Sequence, residues 1–442
     1  MRQRRSVGRW AVGLVLGLAI LPASVAAQAR VEQGQNHWVA TWATAQEFYR
    51  RPPPPPPPPA APSAAAPAPR PNRAPFTVNN QTVRMIVRTS IGGSRARIRL
   101  ANSFGAPTVE VGAAHVAVRR SGSAIVPGTD RSLTFGGKLN VTLPPGAVVL
   151  SDPVSIDVPA NGDLAVSLYI PGDGDRPTSH GLGLHTTYIS GPGDYAGRAS
   201  IPDSTTTQAY YWIAGVDVLA PADASAIVGF GDSITDGARS TADANAMWPA
   251  ILAQRLGANP ATSRIAVVNA GISGNQVLRD ASGVSALARL DRDVFTQPGA
   301  SWMILLEGIN DIGNLGRAGN AVTLTADQMI WAYQQIIDRA HSHGIRVAGA
   351  TLTPYQGAGY YSEQGEAVRE AVNNWVRTSG AFDAVIDFDK AVRDPANPKR
   401  FRADLQPGDF LHPNDTGYRL MAESIDLSIF QTPAARVPAG RR

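Results

Sequence analysis

The chain has 442 residues, no cysteine, and 40 basic against 35 acidic residues, which gives a formal charge of +5. A chain of this length can form two or three domains, and the lack of cysteine excludes disulfides and thiolate metal sites. Four of the basic residues are arginines within the first nine positions, and no basic stripe typical of nucleic-acid binding follows them. Nucleic acid is therefore not an expected partner.

Residues 1–29 have the pattern of a cleavable secretory signal peptide. The arginines precede an apolar run from Trp10 to Leu21, and the small residues of ASVAAQA follow that run. Such a run is too short for a membrane-spanning helix and has the flanks of a signal sequence. The sequence therefore predicts a secreted or periplasmic protein without stable insertion in a membrane.

Residues 30–222 are predicted to form a β-rich N-terminal domain. Its first strand lies in HWVATWATAQ, where Trp38, Ala40 and Trp42 share one face that favours core packing. Short alternating runs follow between 76 and 222, such as TVRMIVRTS and DLAVSLYIP, and Gly, Pro, Asn and Asp turns separate them. This pattern is typical of a β-sandwich.

Two features of this domain raise the question of ligand binding. Tyr210, Tyr211 and Trp212 are candidates for stacking on a sugar, although core or interdomain packing is the more common role of such rings. Residues 52–75 begin with eight consecutive prolines and predict a disordered, extended polyproline insertion. A tolerated surface insertion and a wall-spanning spacer both remain open for it.

Residues 223–432 change to an alternation of strands and helices, and residues 433–442 are predicted to be a disordered tail. The strand-like runs are SAIVGF, RIAVVNA, WMILLEG, IRVAGATL and DAVIDF, and helical stretches such as TADQMIWAYQQIIDRAHSHG lie between them. This alternation predicts a parallel sheet with helices on both faces. Active sites of such sheets lie at the carboxyl ends of the strands.

Residues with catalytic chemistry occur at these strand ends and near the end of the domain. GDSITDG carries Ser233, NAGISGNQ carries Gly274, EGINDIG carries Asn310 with Asp311, and GDFLHPND carries Asp409 and His412. A serine nucleophile needs a base, and a histidine oriented by a carboxylate is such a base. A glycine N–H and an asparagine amide are suitable donors to an oxyanion. Each segment taken alone is also explained by a helix cap or a turn; Asp409 and Asp415 are both candidates to cap the last helix.

Together the four segments resemble the signature blocks of the SGNH, or GDSL-like, hydrolases. The resemblance implies a catalytic triad of Ser233, Asp409 and His412, and an oxyanion hole formed by Ser233, Gly274 and Asn310. It also implies a three-layer α/β/α flavodoxin-like domain that hydrolyses esters without a cofactor or a metal. The preceding β-sandwich-like region is similar to one found in secreted bacterial members of this family.

The favoured function is a secreted serine esterase that removes short acyl groups, such as acetyl, from carbohydrate or similar substrates. Its expected partner is a small-molecule or polysaccharide ester, and the oligomeric state is not predicted. Two alternatives remain: a lipase or lysophospholipase, and a non-catalytic carbohydrate-binding protein. Metal-dependent hydrolysis is a weaker rival, because its best candidates, His341 and His343 beside Asp338, lack the spacing of a helical zinc motif.

Overall fold

The computed structural model describes residues 36–47, 77–105, 107–313, 315 and 324–431. The predicted signal peptide (1–29), the proline-rich segment (52–75) and the C-terminal tail (433–442) lie outside the described residues. None of the helices within those ranges combines the length and apolar character needed to cross a membrane.

Residues 36–221 are rich in antiparallel strands, as the alternating runs predict. The strands are β1 (Asn36–Ala43), β2 (Asn79–Arg88), β3 (Gly93–Ala101), β4 (Val109–Val111), β5 (Ala113–Ser121), β6 (Ala124–Ile125), β7 (Arg131–Ser132), β8 (Val141–Leu143), β9 (Val148–Leu150), β10 (Val154–Val158), β11 (Asp163–Asp173), β12 (Ser179–His180), β13 (Thr187–Pro192), β14 (Thr205–Thr207), β15 (Tyr210–Tyr211) and β16 (Ile213–Pro221). One sheet has the order β1-β16-β3-β10, and β9 also pairs with β3. A second has the order β14-β13-β2-β11-β5-β6, and β7 also pairs with β5.

Strand β1 contributes to the cores of both halves of the chain. Its pairing with β16 shifts register between Ala40 and Trp42. Ala40 and Ala43 pack in the core of the C-terminal part, whereas Val39 and the partly buried Trp42 pack with the N-terminal core. The shift therefore places Ala40 and Trp42 in different cores, whereas the sequence pattern predicts that they share one face.

The three consecutive aromatic residues near the end of the strand-rich part are buried. Tyr210, Tyr211 and Trp212 are 3%, 5% and 0% exposed. The Tyr210 hydroxyl donates to the carbonyl of Ile86 at 3.0 Å, and its ring packs edge-on against Trp42 at 5.0 Å between centroids. Because a sugar needs an open ring face, the stacking hypothesis is wrong for these residues and the packing interpretation is confirmed.

Residues 225–431 form the predicted alternation of strands and helices. The strands are β17 (Ser225–Gly231), β18 (Ile265–Gly271), β19 (Ala300–Leu306), β20 (Arg346–Ala350), β21 (Ala384–Ile386), β22 (Arg393–Asp394) and β23 (Asn397–Phe401). The α-helices are α1 (Ser233–Asp236), α2 (Trp248–Ala258), α3 (Ala286–Leu290), α4 (Ile309–Gly313), α5 (Ala326–Ser342), α6 (Glu363–Thr378), α7 (Phe388–Val392) and α8 (Asp415–Glu423). A π-helical turn (Asp291–Phe295) follows α3, and 3₁₀ turns span Ala403–Leu405 and Leu427–Phe430.

Strands β17 to β21 form one parallel sheet with the order β18-β17-β19-β20-β21. Numbered along the chain, the order is 2-1-3-4-5, in which the chain reverses direction across the sheet at the first strand. Gly231, at the end of β17, is paired with both Gly271 of β18 and Leu306 of β19. The segments that follow these three strands therefore emerge side by side at one edge of the sheet.

Candidate active site

Ser233 is the first residue of a one-turn helix at the carboxyl end of β17. Asp232 caps this helix, because its carboxylate accepts the N–H of Ile234 at 3.0 Å. Gly237 ends the helix with a φ of 110°, a left-handed conformation that suits glycine. The side chain of Ser233 is held at the edge of the sheet in a site that leaves the residue 6% exposed.

The glycine before this turn is required by the close approach of neighbouring backbone. A Cβ atom at Gly231 would collide with the carbonyl oxygen of Leu306 and with the hydroxyl of Thr235. Only glycine allows β17 to lie this close to β19 while the chain turns into α1.

His412 joins Ser233 to Asp409 through two hydrogen bonds. Its Nδ1 lies 2.9 Å from Asp409 Oδ2, and its Nε2 lies 2.9 Å from Ser233 Oγ. The other carboxylate oxygen of Asp409 accepts the backbone N–H groups of Leu411 and His412 at 3.1 and 3.0 Å. With Nδ1–H donating to the carboxylate, Nε2 is left as the acceptor that faces the serine hydroxyl.

The carboxylate of Asp409 is kept ionised by its hydrogen bonds. Burial alone would raise the pKa of Asp409, but the bonds from the His412 side chain and from the backbone of His412 and Leu411 outweigh it and lower the pKa. Arg239 also donates from Nε to Asp409 Oδ2 at 3.2 Å, a contact that sequence reasoning missed. A charged Asp409 is the group that can hold the imidazole in one tautomer.

Neither aspartate near His412 caps the last helix. Asn414 is the N-cap of α8, and its side chain accepts the N–H of Gly417 at 3.0 Å. Asp415 instead accepts the N–H and the hydroxyl of Thr241 at 2.8 and 2.6 Å. The capping alternative is therefore wrong for Asp409, which leaves its contact with His412 as its main interaction.

The two other predicted donors follow the strands on either side of β17. Gly274 follows β18 and has a φ of 78°, and a Cβ there would collide with the Ser282 hydroxyl. Asn310 lies in the first turn of α4, which follows β19, and its amide donates to the carbonyl of Asn275 at 3.0 Å. Both residues are partly buried. Convergence of the three donors on one oxygen stays a prediction.

A buried arginine from α3 connects the ends of these three strands, and sequence reasoning did not identify it. Arg289 is 1% exposed. It donates to the carbonyl of Gly231 at 2.9 Å, to the carbonyl of Ala270 at 2.7 Å and to the Asn275 side chain at 2.8 Å. It also reaches Glu307 at 3.4 Å. A charged residue in the apolar helical run SALARL was the only signal of this role.

Three buried carboxyl groups surround this arginine and the strand ends. Burial raises the pKa of Asp232 to about 7 and that of Asp311 to about 6, and it raises the pKa of Glu307 well above its ordinary value. Arg289 opposes the shift for Asp232 and Glu307. Asp311 accepts the N–H groups of Val277 and Leu278 at 2.8 and 3.1 Å, so it shapes the loop after Gly274.

The three side chains that the sequence offers as metal ligands each contact a different partner in the structure. His341 pairs with Asp383 at 2.8 Å, and His343 stacks on Phe295 with ring centroids 4.1 Å apart. Asp338 accepts the side-chain amide of Gln334. Among the described residues, Glu47, His180 and Asp236 do bring ligand atoms within 4.8 Å of one another.

Comparison with known proteins identifies the domain that contains the candidate site. The model of the GDSL-like lipase/acylhydrolase family matches residues 230–420, a span that includes Ser233, Gly274, Asn310, Asp409 and His412. This domain belongs to the GDSL-like family. The match makes the chain an ester-hydrolysing enzyme with an SGNH-type domain.

Several solved structures that are similar to the chain cover just under half of it. The acetyl xylan esterase AlAXEase is 24% identical and covers 45% of this chain and 96% of its own, with a TM-score of 0.35. A G-D-S-L family protein from Desulfitobacterium hafniense DCB-2 is 22% identical over 47% of this chain and 99% of its own, with a TM-score of 0.36. The aryl esterase of M. smegmatis is 16% identical over 46% and 96%, with a TM-score of 0.35. No curated protein matches the chain.

The two aspartates that flank His412 at equal distance along the chain allow a matched test. We expect Asp409→Asn to lower kcat by about 10³ or more, because an amide at this position favours the wrong histidine tautomer. We expect Asp415→Asn, which makes the same chemical change three residues beyond His412, to leave kcat close to that of the wild type. Steady-state hydrolysis of p-nitrophenyl acetate measures both. Equal kcat values for the two variants would contradict the orienting role of Asp409.

Proposed function

We propose that the chain is a serine esterase in which Ser233 is the nucleophile, His412 the general base and Asp409 the group that orients it. The observation that carries the proposal is the continuous hydrogen-bonded path from Ser233 Oγ through both ring nitrogens of His412 to Asp409. The order of these groups matches their chemistry, because Ser233 faces the accepting nitrogen and Asp409 faces the donating one.

The reaction follows from this arrangement in two half-reactions. Ser233 Oγ attacks the ester carbonyl carbon while His412 Nε2 takes the hydroxyl proton, and the C–O bond to the alcohol then breaks as His412 returns that proton to the leaving oxygen. Water next attacks the acyl-enzyme while His412 takes its proton. His412 gives that proton back to Ser233 as the carboxylic acid leaves, which restores the enzyme.

We further propose that the oxyanion of each tetrahedral intermediate accepts hydrogen bonds from the N–H groups of Ser233 and Gly274 and from the Asn310 amide. The support is positional: the three residues follow three neighbouring parallel strands, at most four residues beyond paired strand ends. Donors set in place before the reaction stabilise the developing charge without the cost of reorganising solvent.

The proposed substrates are short acyl esters, such as acetyl groups on carbohydrate or similar compounds, met outside the cytoplasm. The predicted signal peptide and the strand-rich domain placed before the catalytic one support this choice.

We infer that residues 30–222 and 223–432 are the two domains, that the two N-terminal sheets form a sandwich around their common core, and that the parallel sheet is the middle of three layers. Ile98 of one sheet and Val83 of the other are buried in the same apolar core, which supports the sandwich. The packing of α2 with α8 and of α5 with α6 supports the layers.

Covalent labelling tests the nucleophile directly. We expect an organophosphonate with a p-nitrophenol leaving group to add to Ser233 alone, because only a serine paired with a neutral histidine is nucleophilic at neutral pH. Mass spectrometry of a digest locates the adduct. We expect Ser233→Ala to take up no label and to lose nearly all ester hydrolysis while keeping the melting temperature of the wild type. A label on a different serine would refute the assignment.

Substitution of Asn310 tests the proposed oxyanion contact. We expect Asn310→Ala to lower kcat by about 10²–10³ with a much smaller change in KM, because the contact strengthens mainly in the transition state. Asn374→Ala on the exposed side of α6 is the control and should change neither parameter. A well-folded Asn310→Ala enzyme with an unchanged kcat would remove Asn310 from the oxyanion hole.

A panel of esters tests the proposed substrate class. We expect kcat/KM on p-nitrophenyl esters to be highest for acetate and to fall steadily toward palmitate, and we expect acetate release from acetylated xylan. The Ser233→Ala enzyme serves as the blank for both measurements. A maximum at long chains, together with hydrolysis of a lysophospholipid, would favour the lipase alternative and reject the acetyl esterase.

A further inference from the structure

A histidine of the strand-rich part contacts the helix that begins with Ser233. His180 lies in β12, and its Nε2 is 2.9 Å from Oδ1 of Asp236, the last residue of α1. The other oxygen of Asp236 accepts both the N–H and the hydroxyl of Ser273, at 3.0 and 2.7 Å. Ser273 directly precedes Gly274. A continuous set of polar contacts therefore runs from the N-terminal part to a proposed oxyanion donor.

His180 is held in one orientation by contacts on both sides of its ring. Its Nδ1 lies 2.9 Å from the carbonyl oxygen of Ala45, which follows β1, and Glu47 Oε1 is 3.7 Å away. A carbonyl oxygen only accepts hydrogen bonds, so Nδ1 carries a proton, and Nε2 faces a carboxylate. Burial would lower the pKa of His180, but Asp236, Glu47 and the Ala45 carbonyl together raise it to about 9. The ring is therefore a cation with two N–H donors at neutral pH.

This protonation state decides between two interpretations of the cluster of Glu47, His180 and Asp236. A metal ion needs a lone pair on a ring nitrogen, and both ring nitrogens here act as donors to oxygen. The side chains of His180 and Asp236 are 4% and 3% exposed, so the pair is a buried ion pair whose charges compensate each other. The cluster is better explained as a structural link than as a metal site.

We propose that His180 is a positioning residue for ester hydrolysis: it fixes Asp236, and through Asp236 the Ser273–Gly274 segment whose N–H meets the oxyanion. This inference rests on the proposed function and adds to it a role for the strand-rich part. Without the cation, Asp236 would be a buried and uncompensated carboxylate, and it would take up a proton or move. Either change removes an acceptor from Ser273 and releases the Gly274 backbone.

The expected effect is on the rate more than on substrate binding. Small misplacements of catalytic groups cost up to about 10²-fold in rate, and oxyanion contacts act mainly in the transition state. We therefore expect His180→Leu to lower kcat about tenfold or more while KM stays within about twofold of the wild type. His180→Gln keeps a neutral N–H donor close to the position of Nε2, and we expect it to recover part of this loss.

The control is a second histidine–aspartate pair with no contact to the site. His115 of β5 lies 2.9 Å from Asp130, and both residues belong to the strand-rich part. We expect His115→Leu to leave kcat and KM unchanged, even where it lowers the melting temperature. All variants are measured as the full chain on p-nitrophenyl acetate. Active-site titration with the organophosphonate refers each kcat to the number of folded, competent sites.

A double-mutant cycle tests whether His180 acts through Asp236. We expect Asp236→Asn to lower kcat to an extent similar to His180→Leu, and we expect the double variant to be no more than about twofold slower than Asp236→Asn alone. Additive losses would overturn the proposal, as would a His180→Leu kcat equal to that of His115→Leu. If His180→Leu does not fold, an unchanged kcat in His180→Gln together with an unchanged kcat in Asp236→Asn overturns it equally.

Failure of the positioning role of His180 can be distinguished from failure of the proposed serine mechanism. If Ser233→Ala retains activity or the label falls elsewhere, the serine mechanism itself fails. If Ser233 is labelled and essential but the His180 variants keep the kcat of the control, only the positioning role fails. If Ser233 is labelled and essential, and kcat falls with KM unchanged in His180→Leu and Asp236→Asn but not in His115→Leu, the serine mechanism and the positioning role are both supported.

Discussion

The parallel pairing of β17 with both β18 and β19 is the constraint on which the site depends. Gly231 is paired with Gly271 on one side and Leu306 on the other, so β17, β18 and β19 end at the same edge of the sheet. Ser233, Gly274 and Asn310 follow those strands within a few residues. Glycine at position 231 is required because Leu306 and Thr235 leave no space for a side chain. The fold therefore brings together residues that lie in separate segments of the sequence.

Charge buried beneath the strand ends maintains this arrangement. Arg289 donates to the carbonyl groups of Gly231 and Ala270 and to the Asn275 side chain, so one cation is shared among the segments that carry the site. A buried cation is costly unless it is paired and fully hydrogen-bonded. Glu307 and Asp293 supply the pairing at 3.4 and 3.1 Å. Burial of such a network favours a single conformation of the loops, because any rearrangement would leave a charge unpaired.

The strand-rich part is connected to the GDSL-like domain by both apolar and polar contacts. Strand β1 places Ala40 and Ala43 in the core of the C-terminal part, and the backbone N–H of Ala40 donates to Pro298 at 2.9 Å. His180 adds a buried ion pair with Asp236, the last residue of the helix that begins with Ser233. A module attached only as a binding domain would not need a charged contact with Asp236, which itself accepts two hydrogen bonds from Ser273. Through these contacts, the positioning role proposed for His180 would connect the strand-rich part to catalysis.

Local features of the chain were readable from the sequence, and contacts between distant segments were not. The helix predicted in TADQMIWAYQQIIDRAHSHG spans Ala326–Ser342, because its apolar period and its capping pair Thr325 and Gln328 are set within a few residues. Asp409 and His412 also meet as their spacing of three suggests. Ser233 and His412, 179 positions apart, were brought together only by resemblance to a family and by the fold. The burial and the contacts of Arg289, His180 and Tyr210 were decided by the tertiary structure alone. Burial and ion pairing depend on which faces meet, and a short sequence pattern carries no information about its distant neighbours.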